Sequence, residues 1–162
     1  MSRTETIADE LYRSVFGDPW HGASAASIID IISFEEAVNK PSHSAHTIFE
    51  IIFHITGWTE EVLGRFEGKE PSEPLRGDWR SFEKIETADW EKIKSDLYSS
   101  TEKLISVLKN FPEEQLDTYP SEERIPGLGT GFTYEGLICG LVQHTAYHMG
   151  QVSLLKKINS NR

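Results

Sequence analysis

Cysteine occurs once, at Cys139, so no disulfide can close within the chain. A bridge between two copies is the one crosslink left, and the expected setting is the reducing cytoplasm. A basic surplus is also missing, because 16 Lys+Arg stand against 26 Asp+Glu for a formal net charge of -10. Nucleic-acid binding draws much of its affinity from Lys and Arg neutralising phosphates, and no local basic patch offsets the deficit. Attachment to an anionic membrane surface is disfavoured by the same arithmetic. The first ten residues carry Glu5, Asp9 and Glu10 where a secretory signal would need a basic start and an apolar run, so secretion is not expected. Alternating β-branched runs are few, and repeats, low-complexity tracts and domain-splitting linkers are absent. A length of 162 residues is then expected to form a single domain, 1–162.

What the chain has is helical periodicity. A first segment from about Thr4 to Phe16 places Ile7, Leu11 and Val15 on one face, and Gly17 to Gly22, with Pro19, breaks it. Helical character returns over Ala23 to Ile32 and in a short turn from Phe34 to Val38 capped by Ser33, and Pro41 ends it. A second long helix is expected from about Thr47 to Glu67, with Ile48, Ile51, Ile55, Trp58, Val62 and Phe66 as its stripe and Gly68 as its stop. After a loop over 69–86, Thr87 or Asp89 can cap a third helix to Asn110, buried along Trp90, Ile93, Leu97, Leu104 and Leu108. A second loop, 112–132, holds Gly127, Gly129 and Gly131, and Thr133 opens a fourth helix to about Ile158. The fold class is therefore all-α, a four-helix bundle with two long loops, and loops of that length in compact domains often carry function.

The last helix contains the one long uncharged run, Gly136 to Leu155. It includes Gln143, His144, His148 and Gln151, which are costly to bury in lipid, so a core helix is expected and not a membrane span. Leu137, Leu141, His144, His148, Gln151 and Leu155 are spaced 4, 3, 4, 3 and 4 apart, the spacing of a bundle seam. His144 and His148 thus face inward from consecutive turns, where two imidazoles can share one metal ion. The H-x-x-x-H spacing alone is common; its place on the seam gives it weight, because core histidines need hydrogen-bond or metal partners. His54 sits three residues after Ile51 and four before Trp58, so it faces inward too. A core histidine satisfied by a carbonyl is the alternative for His54 by itself. Three inward histidines on two helices favour a metal site with open positions.

Three stretches carry a resemblance: Pro19-Trp-His-Gly22, His46-Thr-Ile-Phe-Glu-Ile-Ile-Phe-His-Ile-Thr-Gly-Trp58 and Gln143-His-Thr-Ala-Tyr-His-Met-Gly-Gln151. Over nearly its whole length the chain resembles the DinB-like proteins, four-helix bundles also called damage-inducible or YfiT-like. The resemblance implies a metal triad of one histidine from the second helix and an H-x-x-x-H pair from the last, which falls on His54, His144 and His148. It also implies a divalent metal cofactor, Zn²⁺ or Ni²⁺ being the leading choices, since imidazole suits both. The implied activities are transfer of a low-molecular-weight thiol such as bacillithiol or mycothiol to an electrophile, which is favoured, or metal-dependent hydrolysis of an amide or ester. A non-catalytic metal-binding stress-related dimer competes with both. A homodimer is expected, with a small-molecule substrate and neither nucleic acid nor membrane as partner.

The remaining candidates divide between chemistry and packing. His21 is expected to pack against Trp20, with a place beside the metal cleft as the alternative. His46 is read as a cap-region residue and His43 as exposed. Gln151, three residues after His148, is placed to orient an imidazole, and Gln143 is read as solvated. Glu50 is expected to be an exposed solubilising glutamate, a catalytic base being the alternative. Cys139 is expected to be small buried filler, and Trp20, Trp58 and Trp90 to be core. An anionic thiol would need cations at the cleft, for which Arg76, Arg80 and Arg124 are the candidates.

Overall fold

The computed structural model describes residues 1–41 and 46–160, so His43 lies outside the described residues. Among those residues every regular element is helical: α1 (Arg3–Val15), α2 (Ala25–Ile29), α3 (Phe34–Val38), α4 (Ile48–Phe66), α5 (Thr87–Lys109) and α6 (Tyr134–Ser160), with a 3-10 turn at Glu113–Gln115. The all-α bundle expected from the periodicity forms. α4 packs on α5 and α6, and α1 packs on the same two helices, so α1 and α4 stand at opposite corners of a four-helix arrangement. α2 and α3 close the remaining flank of α6. α6 buries Leu137, Ile138, Leu141, Thr145, His148, Met149 and Val152 against these neighbours, while Cys139, Gln143, Tyr147 and Leu154 form a solvent-facing side that is uncharged.

Helix starts are set by local chemistry. Ser2, Ser33 and Thr47 each accept a hydrogen bond from the backbone N–H three residues on, and Glu5, Glu36 and Glu50 each reach back to the cap's own N–H. Each such box satisfies two donors that a helix end would otherwise leave orphaned. Glu50 is therefore buried in a cap; the expectation of an exposed glutamate is corrected, because the carboxylate is drawn in by the Thr47 amide at 2.9 Å. The cap of α5 is Glu86 and neither Thr87 nor Asp89; Asp89 instead accepts from the Glu86 amide at 2.8 Å. At α6 Thr133 Oγ1 accepts from the Gly136 amide at 3.1 Å, as expected of a cap.

The core runs between the long helices. Ile48, Ile52, Ile55, Leu97, Leu104 and Leu108 are fully buried, each contributing about 1.5–3 kcal/mol by leaving water. Trp90 belongs to this core, Trp58 is half-buried, and Trp20 is fully exposed. Trp20 corrects the expectation of a core residue: the break after α1 ends the helical register and turns the ring outward. α2 is also shorter than the ten residues its pattern suggests. Cys139 is exposed, against the expectation of buried filler, since its face of α6 points away from the seam and no other helix covers it. Among the described residues no helix is long and apolar enough to cross a membrane.

Candidate metal centre

α4 and α6 bring His54, His144 and His148 together. Continuous burial along α4 places His54 inside at 5% exposure; His148 is equally buried and His144 half-buried. His144 Nε2 lies 2.9 Å from His54 Nε2 and 3.1 Å from His148 Nε2. An imidazole nitrogen has a single in-plane site, either an N–H or a lone pair, so His144 Nε2 can satisfy one neighbour and not both. A cation accepting lone pairs from all three resolves that conflict. Nitrogens bound tetrahedrally at about 2.0–2.1 Å stand about 3.3 Å apart, close to the spacing present. The three histidines can thus hold one metal ion.

Contacts behind the cluster orient the rings. Gln151 Oε1 stands 2.8 Å from His148 Nδ1, which places that ring's proton on Nδ1 and leaves the Nε2 lone pair for the centre. Asp78 Oδ1 is 2.6 Å from His54 Nδ1 and also accepts from Trp58 Nε1 at 2.8 Å. The Asp78 to His54 approach is short but does not make a well-aligned hydrogen bond, and it is a close polar contact. Trp79 lies flat on His54, ring centres 3.9 Å apart and planes 9° from parallel, and its other stacking partner is His46, also at 3.9 Å. Asp78 and Trp79 come from the loop between α4 and α5. Helical periodicity does not reach that loop, and its unusual length was the signal available.

All three histidines are shifted toward the neutral form. Burial first, then the rings of His148 and His54, pushes His144 from its ordinary 6.5 down to about 4. Burial lowers His54, with Asp78 pulling the other way, and lowers His148 against its contact with Gln151. Above pH 6.5 folded and unfolded chains alike carry His144 neutral, so it imposes no penalty. As pH falls toward 4 the unfolded chain binds a proton that the folded chain does not, and stability is lost. In metal-free protein, urea unfolding is expected to show about 2 kcal/mol more loss between pH 7 and pH 5 than in the His144→Ala variant. Equal losses would show that His144 takes its proton while folded.

A cavity of about 370 Å³ opens beside His54 and His144. Its walls are mostly apolar: Trp58 and Val62 of α4, Leu137 and Leu141 of α6, and Leu128 and Phe132 from the glycine-containing loop. Arg65 also lines it, but its guanidinium is taken: Nε donates to Glu61 Oε1 at 2.9 Å, and the other nitrogens donate to the carbonyls of Gly129, at 2.8 Å, and Leu128. The cations nominated for an anionic thiol lie elsewhere. Arg76 pairs with Glu60 and Asp96 and sits over Phe53, while Arg80 sits over Phe82. Arg124 rests over the Phe132 ring and is not among the lining residues. His21 and Gln143 are exposed and do not line this cavity.

A family model described as the DinB superfamily matches residues 20–152. The chain belongs to the DinB superfamily. The matched span includes all three clustered histidines, the Asp78 and Trp79 loop and the cavity walls. No curated protein and no solved structure matches this DinB-superfamily chain.

Proposed function

We propose that this DinB-superfamily protein is a divalent-metal enzyme that transfers a low-molecular-weight thiol onto an electrophilic small molecule, with His54, His144 and His148 holding the ion. The observation that carries the reading is the convergence of three imidazole nitrogens beside a mostly apolar cavity. Zn²⁺ and Ni²⁺ both suit such ligands. An ion bound there would supply the Lewis acidity that lowers the pKa of a thiol or of water. In the reaction proposed, the thiol sulfur forms a bond to an electrophilic carbon, the bond from that carbon to its leaving group breaks with the electron pair going to the leaving group, and the thiol proton passes to solvent.

The protein's own residues supply position and dryness. Gln151 and Asp78 hold two of the rings, Trp79 covers one face of His54, and the walls exclude water from the reacting carbon. Amide or ester hydrolysis would ask more of the site, because the departing nitrogen or oxygen needs a proton donor. Of the ionisable side chains lining the cavity, His54 and His144 are assigned to the ion, Arg65 is engaged, and Asp78 Oδ1 is shared between His54 and Trp58. Thiol transfer needs no such donor. The test mixes chelated protein, and the same protein reloaded with Zn²⁺ or Ni²⁺, with a thiol and an aryl chloride, and separately with amide and ester panels. Thioether formation above background in reloaded protein alone is expected; hydrolysis without thioether formation would overturn the reading.

A further inference from the structure

α6 holds three glycines, Gly136, Gly140 and Gly150; at Gly150, as at Gly140, a Cβ would meet nothing within 4 Å, but Gly150 is not among the residues lining the cavity. Gly136 and Gly140 lie one turn apart and both line the cavity. Gly136 lies in the first turn, whereas Gly140 stands in the helix interior, where glycine is less favourable than alanine. At Gly136 crowding accounts for the choice, since a Cβ would stand 3.3 Å from Thr133 Oγ1. At Gly140 no such reason exists: a Cβ would meet nothing within 4 Å, and its φ is not positive. The effect of glycine there is to leave the cavity floor bare beside the histidines.

We infer that this cavity binds the electrophile by an uncharged aromatic or branched apolar group, laid on the bare floor at Gly140 between Trp58, Val62 and Leu141. Volume sets the size. A cavity of about 150 Å³ accepts benzene, so 370 Å³ suits two rings or one ring with a side chain. Charge sets the class. With no ion bound, an anionic group would face Asp78 and find Arg65, the cation among the lining residues, committed to Glu61 and two carbonyls. Burying an anion without a partner is heavily penalised, whereas a neutral ring loses nothing. The inference rests on the enzyme reading for its meaning, and its binding test does not require the ion.

Two fluorescent probes with closely related ring systems test it on chelated protein: neutral N-phenylnaphthylamine and its anionic counterpart, anilinonaphthalene sulfonate. The neutral probe is expected to bind at least about tenfold more tightly, a difference of about 1.4 kcal/mol. Gly140→Leu and Gly140→Met fill the floor, and because both raise helix propensity they are expected to fold, which circular dichroism checks. Both should weaken the neutral probe by about tenfold or more while keeping the parent's metal content. His148→Ala, outside the cavity, should keep the probe and lose the metal. Equal affinity for the two probes, or parent-like binding in both Gly140 variants, would overturn the inference. Failure of metal loading with probe binding intact would instead count against the metal reading alone.

Discussion

Replacing His148 with alanine is expected to cut divalent-ion affinity by more than the roughly 10- to 100-fold that loss of a mere orienting neighbour costs a metal ligand. The ring contributes a buried Nε2 at 3.1 Å from His144 Nε2, and Gln151 fixes its tautomer. Two imidazoles remain in the variant, one of them half-buried, and no other histidine belongs to the cluster among the described residues. Elemental analysis of parent and variant, purified and dialysed side by side, reads the effect directly. Thermal melts with and without added Zn²⁺ give a second readout. A ligand at a hundred times its dissociation constant adds about 2.7 kcal/mol to stability, which the parent should gain and the variant should not. Equal metal content in the two proteins would remove His148 from the site.

The second large effect lies at Arg65. Its side chain is 1% exposed and that of its partner Glu61 is 4% exposed, so the pair is a buried ion pair one helical turn apart. Arg65 also fastens the carbonyls of Leu128 and Gly129, and Glu61 accepts the Ser72 amide at 3.0 Å, so the pair ties both long loops to α4. Arg65→Met keeps most of the volume and removes the charge, leaving a buried carboxylate and two carbonyls without their donor. The expected cost is about 3–5 kcal/mol, a large share of the 5–15 kcal/mol typical of a folded domain. Urea unfolding measures it. Adding Glu61→Leu should recover part of the loss, because the unpaired charge goes with it. A single-variant cost under about 1 kcal/mol, the level of an exposed pair, would show that water reaches this guanidinium.

Much of this molecule is legible in the order of its residues. The stripes of α4 and α5 and the uncharged run of α6 mark buried faces, and residues at helical spacing share a side, so His54, His144 and His148 can be aimed at one another before any coordinates exist. What periodicity cannot do is place a loop. Asp78 follows His54 by more than three turns of helix, a stop and a run of prolines and glycine, and nothing in that run predicts that its carboxylate returns to the imidazole. Arg65 escapes notice for another reason: a charged residue between Val62 and Phe66 looks like helix surface, although Glu61 four residues earlier hints at a pair. Glu50 could have been read correctly, since Thr47-x-x-Glu50 is a capping-box pattern and a cap draws its glutamate inward. Cys139 and Trp20 show the opposite limit, where a small or aromatic side chain turns toward solvent because no element covers that face.

The donor nitrogens stand on two helices of the packed bundle, whereas Asp78, Trp79, Leu128 and Phe132 belong to the connecting loops. The histidine cluster and one part of the cavity wall thus stand on helices, and the other part of the wall on loops. Exchanging the loop between α5 and α6 for one of another shape can re-tailor that part of the wall while leaving α4 and α6 in register, so a bundle of this plan can diversify by insertion and deletion at its rim without rebuilding its centre.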